Sequence, residues 1–234
     1  MIPVLEGEEA KVKKVTGVKE KISGKKGEYS EVIGNGRLLK FYGLGPKKEL
    51  NNRKIRRFYG QAYLANLVAK PKVIVMDGPT EWLEMAAVGI HVAALDPGMF
   101  KSKPAKQTAP EVILLNKKPN DPATKKALKK GQITAEGKNL MRILGMLPPN
   151  RLNPQSYAEV IVGLSKKWKV KCERVPRAKL KKYELLNAVS EGSGYKSELL
   201  IFTLQPKKGK TKQATAVFGK GLCYDSGGLI GKQD

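Results

Sequence analysis

The chain has 234 residues, with 45 Lys+Arg against 21 Asp+Glu, a formal net charge of +24. Hydrophobic residues make up 41%, and 24 Gly and 14 Pro are spread along the chain, which argues against collagen-like, simple-repeat and fully disordered proteins. Two cysteines, Cys172 and Cys223, cannot build a disulfide framework and point to a reducing compartment; no apolar run is long enough to span a membrane, and the start MIPVLEGEEAKVKK lacks a secretory signal's apolar core.

Residues 1–30 are Lys/Glu/Gly-rich with scattered apolar positions, and read as an extended or weakly ordered basic arm with at most one edge strand. Arg37 to Leu44 reads as a strand, ended by Gly45-Pro46. Asn51 or Asn52 caps a helix running to about Asn66, with Ile55, Phe58, Tyr59, Ala62 and Ala65 at helical spacing. Lys72 to Met76 is a short buried strand. Thr80 caps the next helix, which carries Trp82, Leu83, Met85, Ala86, Val88 and Ala93. Glu111 to Leu115 is another strand, and 117–132 reads as a basic connection or a short exposed helix.

A second unit begins near residue 130. Thr134 caps a helix with Leu140, Ile143, Leu144 and Leu147 on one face, stopped by Pro148-Pro149. Asn153-Pro154 starts another, with Tyr157, Ala158, Val160, Ile161 and Leu164 periodic. Lys167 to Val175 reads as a partly alternating strand and Lys179 to Val189 as a short helix. Glu198 to Leu204 and Ala214 to Phe218 read as strands separated by the basic turn QPKKGKTKQ. Strands alternating with helices imply an α/β fold with mixed sheets.

The charge is uneven. Residues 101–212 carry 26 basic and 8 acidic residues, a net of +18, while 213–234 are neutral. The candidate polyanion contacts in this stretch are Lys166, Lys167, Lys169 and Lys171, then Lys179, Lys181 and Lys182, then Lys207, Lys208, Lys210 and Lys212. A solvated, solubilising surface is the competing reading. Lysine acts as a point charge, so contact would be nonspecific rather than base-specific. Trp82 and Trp168 read as core or interface anchors, although Trp168 inside KKWKVK could stack on a base. His91, the only histidine, reads as a packing residue of an apolar helix. Cys172 and Cys223 read as small buried residues.

The strongest local signal is GKGLCYDSGGLIGK, Gly219 to Lys232, after an expected strand. Its glycines allow a sharp turn and a close backbone approach. One carboxylate, Asp225, and two amines, Lys220 and Lys232, surround that turn. Gly219-Lys220-Gly221 fails the pattern of a nucleotide-phosphate loop. Spacing alone leaves both a structural turn and a site open.

This stretch resembles the signature of the leucyl aminopeptidase family, the two-metal cytosolic-type aminopeptidases. The resemblance extends to ITAEGKNLMRILGMLPPNRLNPQSYAE (133–159) and LLNAVSEGSGYKSELLIFTL (185–204), and more weakly to LLKFYGLGPKKELNNRKIRRFYGQA (38–62) and AAVGIHVAALDPGMFKSK (86–103). It implies a mixed-sheet N-terminal α/β domain over 31–130, after the basic arm, and a linker helix with the incomplete start of an α/β metallopeptidase catalytic domain over 131–234. It implies two divalent ions, zinc, manganese or magnesium. Lys220 would be a ligand of one ion and Asp225 would bridge both. Lys232 would sit beside the scissile carbonyl. The implied reaction removes the N-terminal residue of a peptide, and the implied assembly is a homo-hexamer in the cytoplasm.

The chain stops two residues after Lys232, before the further carboxylates that the family carries downstream. The expectation is therefore a fragment or a shortened descendant, inactive by itself. The alternative is a non-catalytic basic subunit binding RNA or another acidic polymer in a larger assembly, such as an organellar ribosome, which would place it in mitochondria.

Overall fold

The computed structural model describes residues 1–34, 36–103, 109–191, 193–205 and 213–223. The chain divides into two units, Met1–Gly145 and Met146–Asp234.

In the first unit, β1 (Ile2–Leu5) is followed by α1 (Glu9–Thr16), β2 (Tyr29–Gly34) and β3 (Arg37–Gly45). β3 lies in the middle of this sheet, parallel to β1 and antiparallel to β2. α2 (Asn52–Leu67), β4 (Val73–Asp77), α3 (Leu83–Ala93), β5 (Glu111–Leu115) and α4 (Pro122–Met146) complete the unit. β4 and β5 pair in parallel. The two sheets are stitched at Met1. Its amino group donates to the Val75 carbonyl at 2.7 Å, and its carbonyl accepts from the Asp77 N–H at 3.1 Å, the bonding pattern of a parallel pair.

The sheet around β3 is covered on both faces. α2 presents Ile55, Phe58, Tyr59, Ala62 and Tyr63, one apolar stripe at helical spacing, to a core that includes Leu5, Leu44, Ile74, Met76, Trp82, Ala86 and Ile90. A second cluster joins Val4, Val18, Ile22, Val32 and Phe41, with Val12 packed against it. The first 30 residues hold the edge strand expected there, β1, but are otherwise not the weakly ordered arm their composition suggested. They supply a strand, a helix and the apolar residues Val18 and Ile22, which are too sparse to read as a periodic pattern.

α3 is apolar on nearly all sides because neighbours enclose it. α2 crosses it at Gly60 and Gly89; a Cβ on Gly89 would fall 2.2 Å from the Arg56 carbonyl oxygen. α4 crosses it at Gly131, where a Cβ would meet the Glu84 carbonyl oxygen at 2.4 Å. Along the same contact Lys130 pairs with Glu84 at 3.0 Å, Asn139 donates to the His91 carbonyl at 2.9 Å and Arg142 donates to the Val92 carbonyl. The region expected as a connection or a short exposed helix (117–132) is helical from Pro122 and joins the helix expected from Thr134 in one 25-residue helix running through residue 130. The Lys-rich first half docks on α3 through Gly131, not through a strongly amphipathic face.

Asn51 caps α2 as expected, its side chain accepting from the Lys54 N–H at 3.0 Å. Thr80 does not cap α3. It opens a 3-10 turn, Thr80–Trp82, and its hydroxyl accepts from the Asn116 amide at 3.2 Å. His91 is exposed, correcting its expected packing role, because it follows the last buried position of α3, Ile90.

The second unit holds α5 (Pro154–Lys167), β6 (Lys171–Pro176), α6 (Arg177–Leu180), α7 (Glu184–Glu191) and β7 (Glu198–Thr203). β6 and β7 are antiparallel, Lys171 opposite Thr203 and Pro176 opposite Glu198. Asn153 and Ser156 form a reciprocal capping box on α5, with Pro154 just inside the helix. Residues 214–218, expected as a strand, have no regular structure, and Val217 and Phe218 are 89% and 96% exposed. Strand propensity alone does not make a strand without a ladder partner.

No described helix is long and apolar enough to cross a membrane.

Candidate functional site

The described part of the motif, Gly219 to Cys223, belongs to the second unit and follows β7. α5 steers it. A Cβ on Gly221 would lie 3.3 Å from Cε1 of Tyr157, so the glycine lets the backbone pass close to that ring. Lys220 is exposed beside this contact. Asp225 and Lys232 lie outside the described residues. Cys223 is exposed rather than buried as expected, and desolvation of its sulfur pushes the thiol pKa upward, away from a reactive thiolate.

The frame behind the segment rests on two arginines that sequence reading did not single out. Arg174 on β6 makes a bidentate pair with Glu198 at the start of β7, at 2.5 and 2.6 Å, and a further bond to Glu159 of α5 at 2.8 Å. Three elements are thereby fixed by one guanidinium. Hydrogen bonds from Arg174 hold the Glu198 carboxyl below its usual range, and the same bonds raise the Arg174 pKa. Arg177 donates to the Glu191 carbonyl at 3.0 Å and the Ser193 carbonyl at 3.2 Å, satisfying the end of α7. Neither role has a local signal, because each partner lies well along the chain.

Among the described residues no three His, Cys, Asp or Glu side chains group closely enough to hold a metal ion. The motif of this chain offers one carboxylate, Asp225, with Lys220, and one carboxylate does not offset the charge of two divalent cations. These residues alone do not fit a two-metal centre.

The candidate polyanion contacts are distributed over one unit. Lys166 and Lys167 end α5, Lys169 follows it, Lys171 opens β6, Lys179 is on α6, and Lys181 and Lys182 precede α7; all seven are exposed. Lys207, Lys208, Lys210 and Lys212 lie outside the described residues. Of the two tryptophans, Trp82 is buried as expected of a core anchor, and Trp168 is 57% exposed.

Residues 139–234 match the model of the cytosol aminopeptidase family, catalytic domain. A probable cytosol aminopeptidase of Corynebacterium diphtheriae is 31% identical over 189 residues, 80% of this chain and 37% of that protein. One from Prochlorococcus marinus is 29% identical over 225 residues, 92% of this chain and 45% of that protein. Among solved structures, the bottromycin maturation enzyme BotP in complex with Mn aligns with a TM-score of 0.65 at 21% identity, over 88% of this chain and 45% of that one. A tomato leucine aminopeptidase mutant aligns at 0.69 and 15% identity, over 90% of this chain and 49% of that one. The two structures bear on the fold alone, and it is the α/β fold of leucine aminopeptidase-like proteins. The chain spans under half the length of these curated relatives, and within that span it belongs to the leucyl, or cytosol, aminopeptidase family.

Proposed function

We propose that this chain carries the N-terminal domain and the opening of the catalytic domain of a metallo-aminopeptidase that removes N-terminal residues from peptides. The observation that carries the reading is the motif Gly219 to Lys232, lying inside the family-matched residues. By that resemblance Lys220 and Asp225 are metal donors, and Lys232 places an ammonium where negative charge develops on the scissile carbonyl oxygen. The ions themselves, zinc, manganese or magnesium in the family resemblance, supply Lewis acidity and an activated water when bound. The relatives' names support a cytosolic setting, and the family resemblance supports a homo-hexamer.

The motif's one carboxylate does not suffice for two ions, so the reading includes inactivity of these 234 residues by themselves. The test loads the purified chain with manganese or zinc and follows release of the anilide from a leucyl anilide, with metal stoichiometry measured by calorimetry. No turnover and fewer than two bound ions are expected. Metal-dependent turnover abolished by Asp225→Asn would show that the chain completes its own centre and would overturn the incompleteness.

A second reading is a non-catalytic basic subunit held in an acidic assembly. It is supported by the seven exposed lysines of the second unit, none of which forms an ion pair with another described residue.

A further inference from the structure

The surface around Trp168 has no part in the aminopeptidase reading. Trp168 is the C-cap of α5, and its side chain is 57% exposed. The reversal after it is a Schellman turn: the Val170 N–H donates to the Ser165 carbonyl at 2.9 Å and the Lys169 N–H to the Lys166 carbonyl at 3.1 Å. The residue at the left-handed position of such a turn is ordinarily glycine. Here it is Lys169, at φ 55°. A lysine in that conformation costs on the order of 1 kcal/mol, and it sets one more cationic side chain next to the indole.

Lys166, Lys167, Lys169 and Lys171 are all exposed in this short stretch. None of them forms an ion pair among the described residues, although Glu173 is exposed on β6 two residues from Lys171. Glu159 and Glu198 are both taken by Arg174. At the other end of β6, Lys179, Lys181 and Lys182 precede Tyr183, which is 43% exposed, and the Lys182 ammonium stands 5.0 Å from the Tyr183 ring centroid. β6, six residues and about 20 Å long, runs between the two lysine clusters in the chain.

We propose that this face of the second unit binds single-stranded nucleic acid. A base stacks on Trp168, and Lys166, Lys167, Lys169 and Lys171 hold the adjoining phosphates. Lys179, Lys181, Lys182 and Tyr183 continue the track. An indole standing out from a helix end needs an open base face, which a duplex keeps stacked, so a single strand is the form that fits. Lysines without arginine forks hold phosphates but do not read sequence. The proposal deepens the second reading above and rests on it, because both need these lysines accessible.

The test titrates the full chain with a single-stranded oligouridylate of about 16 nucleotides and follows tryptophan fluorescence. Trp82 is buried, so quenching reports Trp168. The expected result is saturable quenching with affinity that falls steeply as salt rises. Trp168→Ala is expected to weaken oligouridylate binding about tenfold or more while leaving heparin binding unchanged. The quadruple change of Lys166, Lys167, Lys169 and Lys171 to Gln is expected to weaken both polymers. If Trp168→Ala binds oligouridylate as tightly as the parent chain, base stacking is overturned and a purely electrostatic surface remains. If neither polymer binds at about 50 mM salt, the acidic-assembly reading falls with it.

Discussion

The two units are held together by different physics. In Met1–Gly145, Tyr59, Phe41, Met76, Leu83 and Val4 are fully buried, and helices meet at backbone distance through Gly60, Gly89 and Gly131. In Met146–Asp234 the buried apolar side chains among the described residues are Ala158, Val162 and Leu180. That unit depends instead on a capping box, a Schellman turn and the Arg174 and Arg177 bonds. Full burial of a large apolar side chain is worth about 1.5–3 kcal/mol, a helix cap about 1, and an exposed ion pair less. Directional bonds therefore set the geometry of the second unit, while its stability margin is thin. Leu185, Leu204, Val217 and Phe218, all more than 80% exposed, leave it with apolar surface to cover.

The contrast can be broken at the first unit's helix crossing. Gly89→Ala pushes a methyl into the Arg56 carbonyl, and a loss of about 2–3 kcal/mol is expected in urea unfolding. An unchanged midpoint would mean that α2 and α3 are not so close. Tyr59→Phe removes the bond from the buried hydroxyl to the Asp77 carbonyl, 2.6 Å long, and should cost about 1–2 kcal/mol. Burial raises the Tyr59 pKa above that of a free phenol, so its ultraviolet titration should be delayed until the first unit unfolds in alkali.

The second unit is sharpened by smaller changes. Asn153→Ala removes half of the capping box and should cost about 1 kcal/mol, read as faster amide exchange in α5 while α2 and α3 keep their protection. The Arg174 pair gives an acid signature. Because the folded Glu198 pKa lies below its ordinary value, 4.5, the stabilisation is complete above that value and is lost as pH falls through the folded pKa. Glu198→Gln should flatten this acid limb and lower stability at neutral pH by up to about 1 kcal/mol. A mutant with the parent's acid profile would remove Arg174 from its role as the joint of the unit.

Much of this was legible along the chain. The period of Ile55, Phe58, Tyr59 and Ala62 identifies α2, and Asn51 and Asn153 identify two helix starts, because caps and stripes are local signals. Beyond an edge strand, the first 30 residues were not legible, since Val18 and Ile22 acquire meaning only when Phe41 and Val32 pack against them. The first half of α4 was legible as a connection or a short exposed helix, but not its docking, because the docking residue is a glycine, which carries no hydrophobic signal. At the site, the motif was readable in Gly219 to Lys232, and its placement against Tyr157 was not. Arg174 and Arg177 were invisible because their partners come from other elements.

The position of β1 bears on how the first unit is made. It lies between strands that are synthesised after it, paired with Phe41, Tyr42 and Gly43 on one side and tied through Met1 to Val75 and Asp77 on the other. β1 thus leaves the ribosome before either neighbour and waits for both. Until Asp77 has been translated, Leu5 has only part of its cover, and the nascent sheet keeps an open edge beside β1. This non-local closure should slow the folding of the unit and make its newborn chain a client for chaperones.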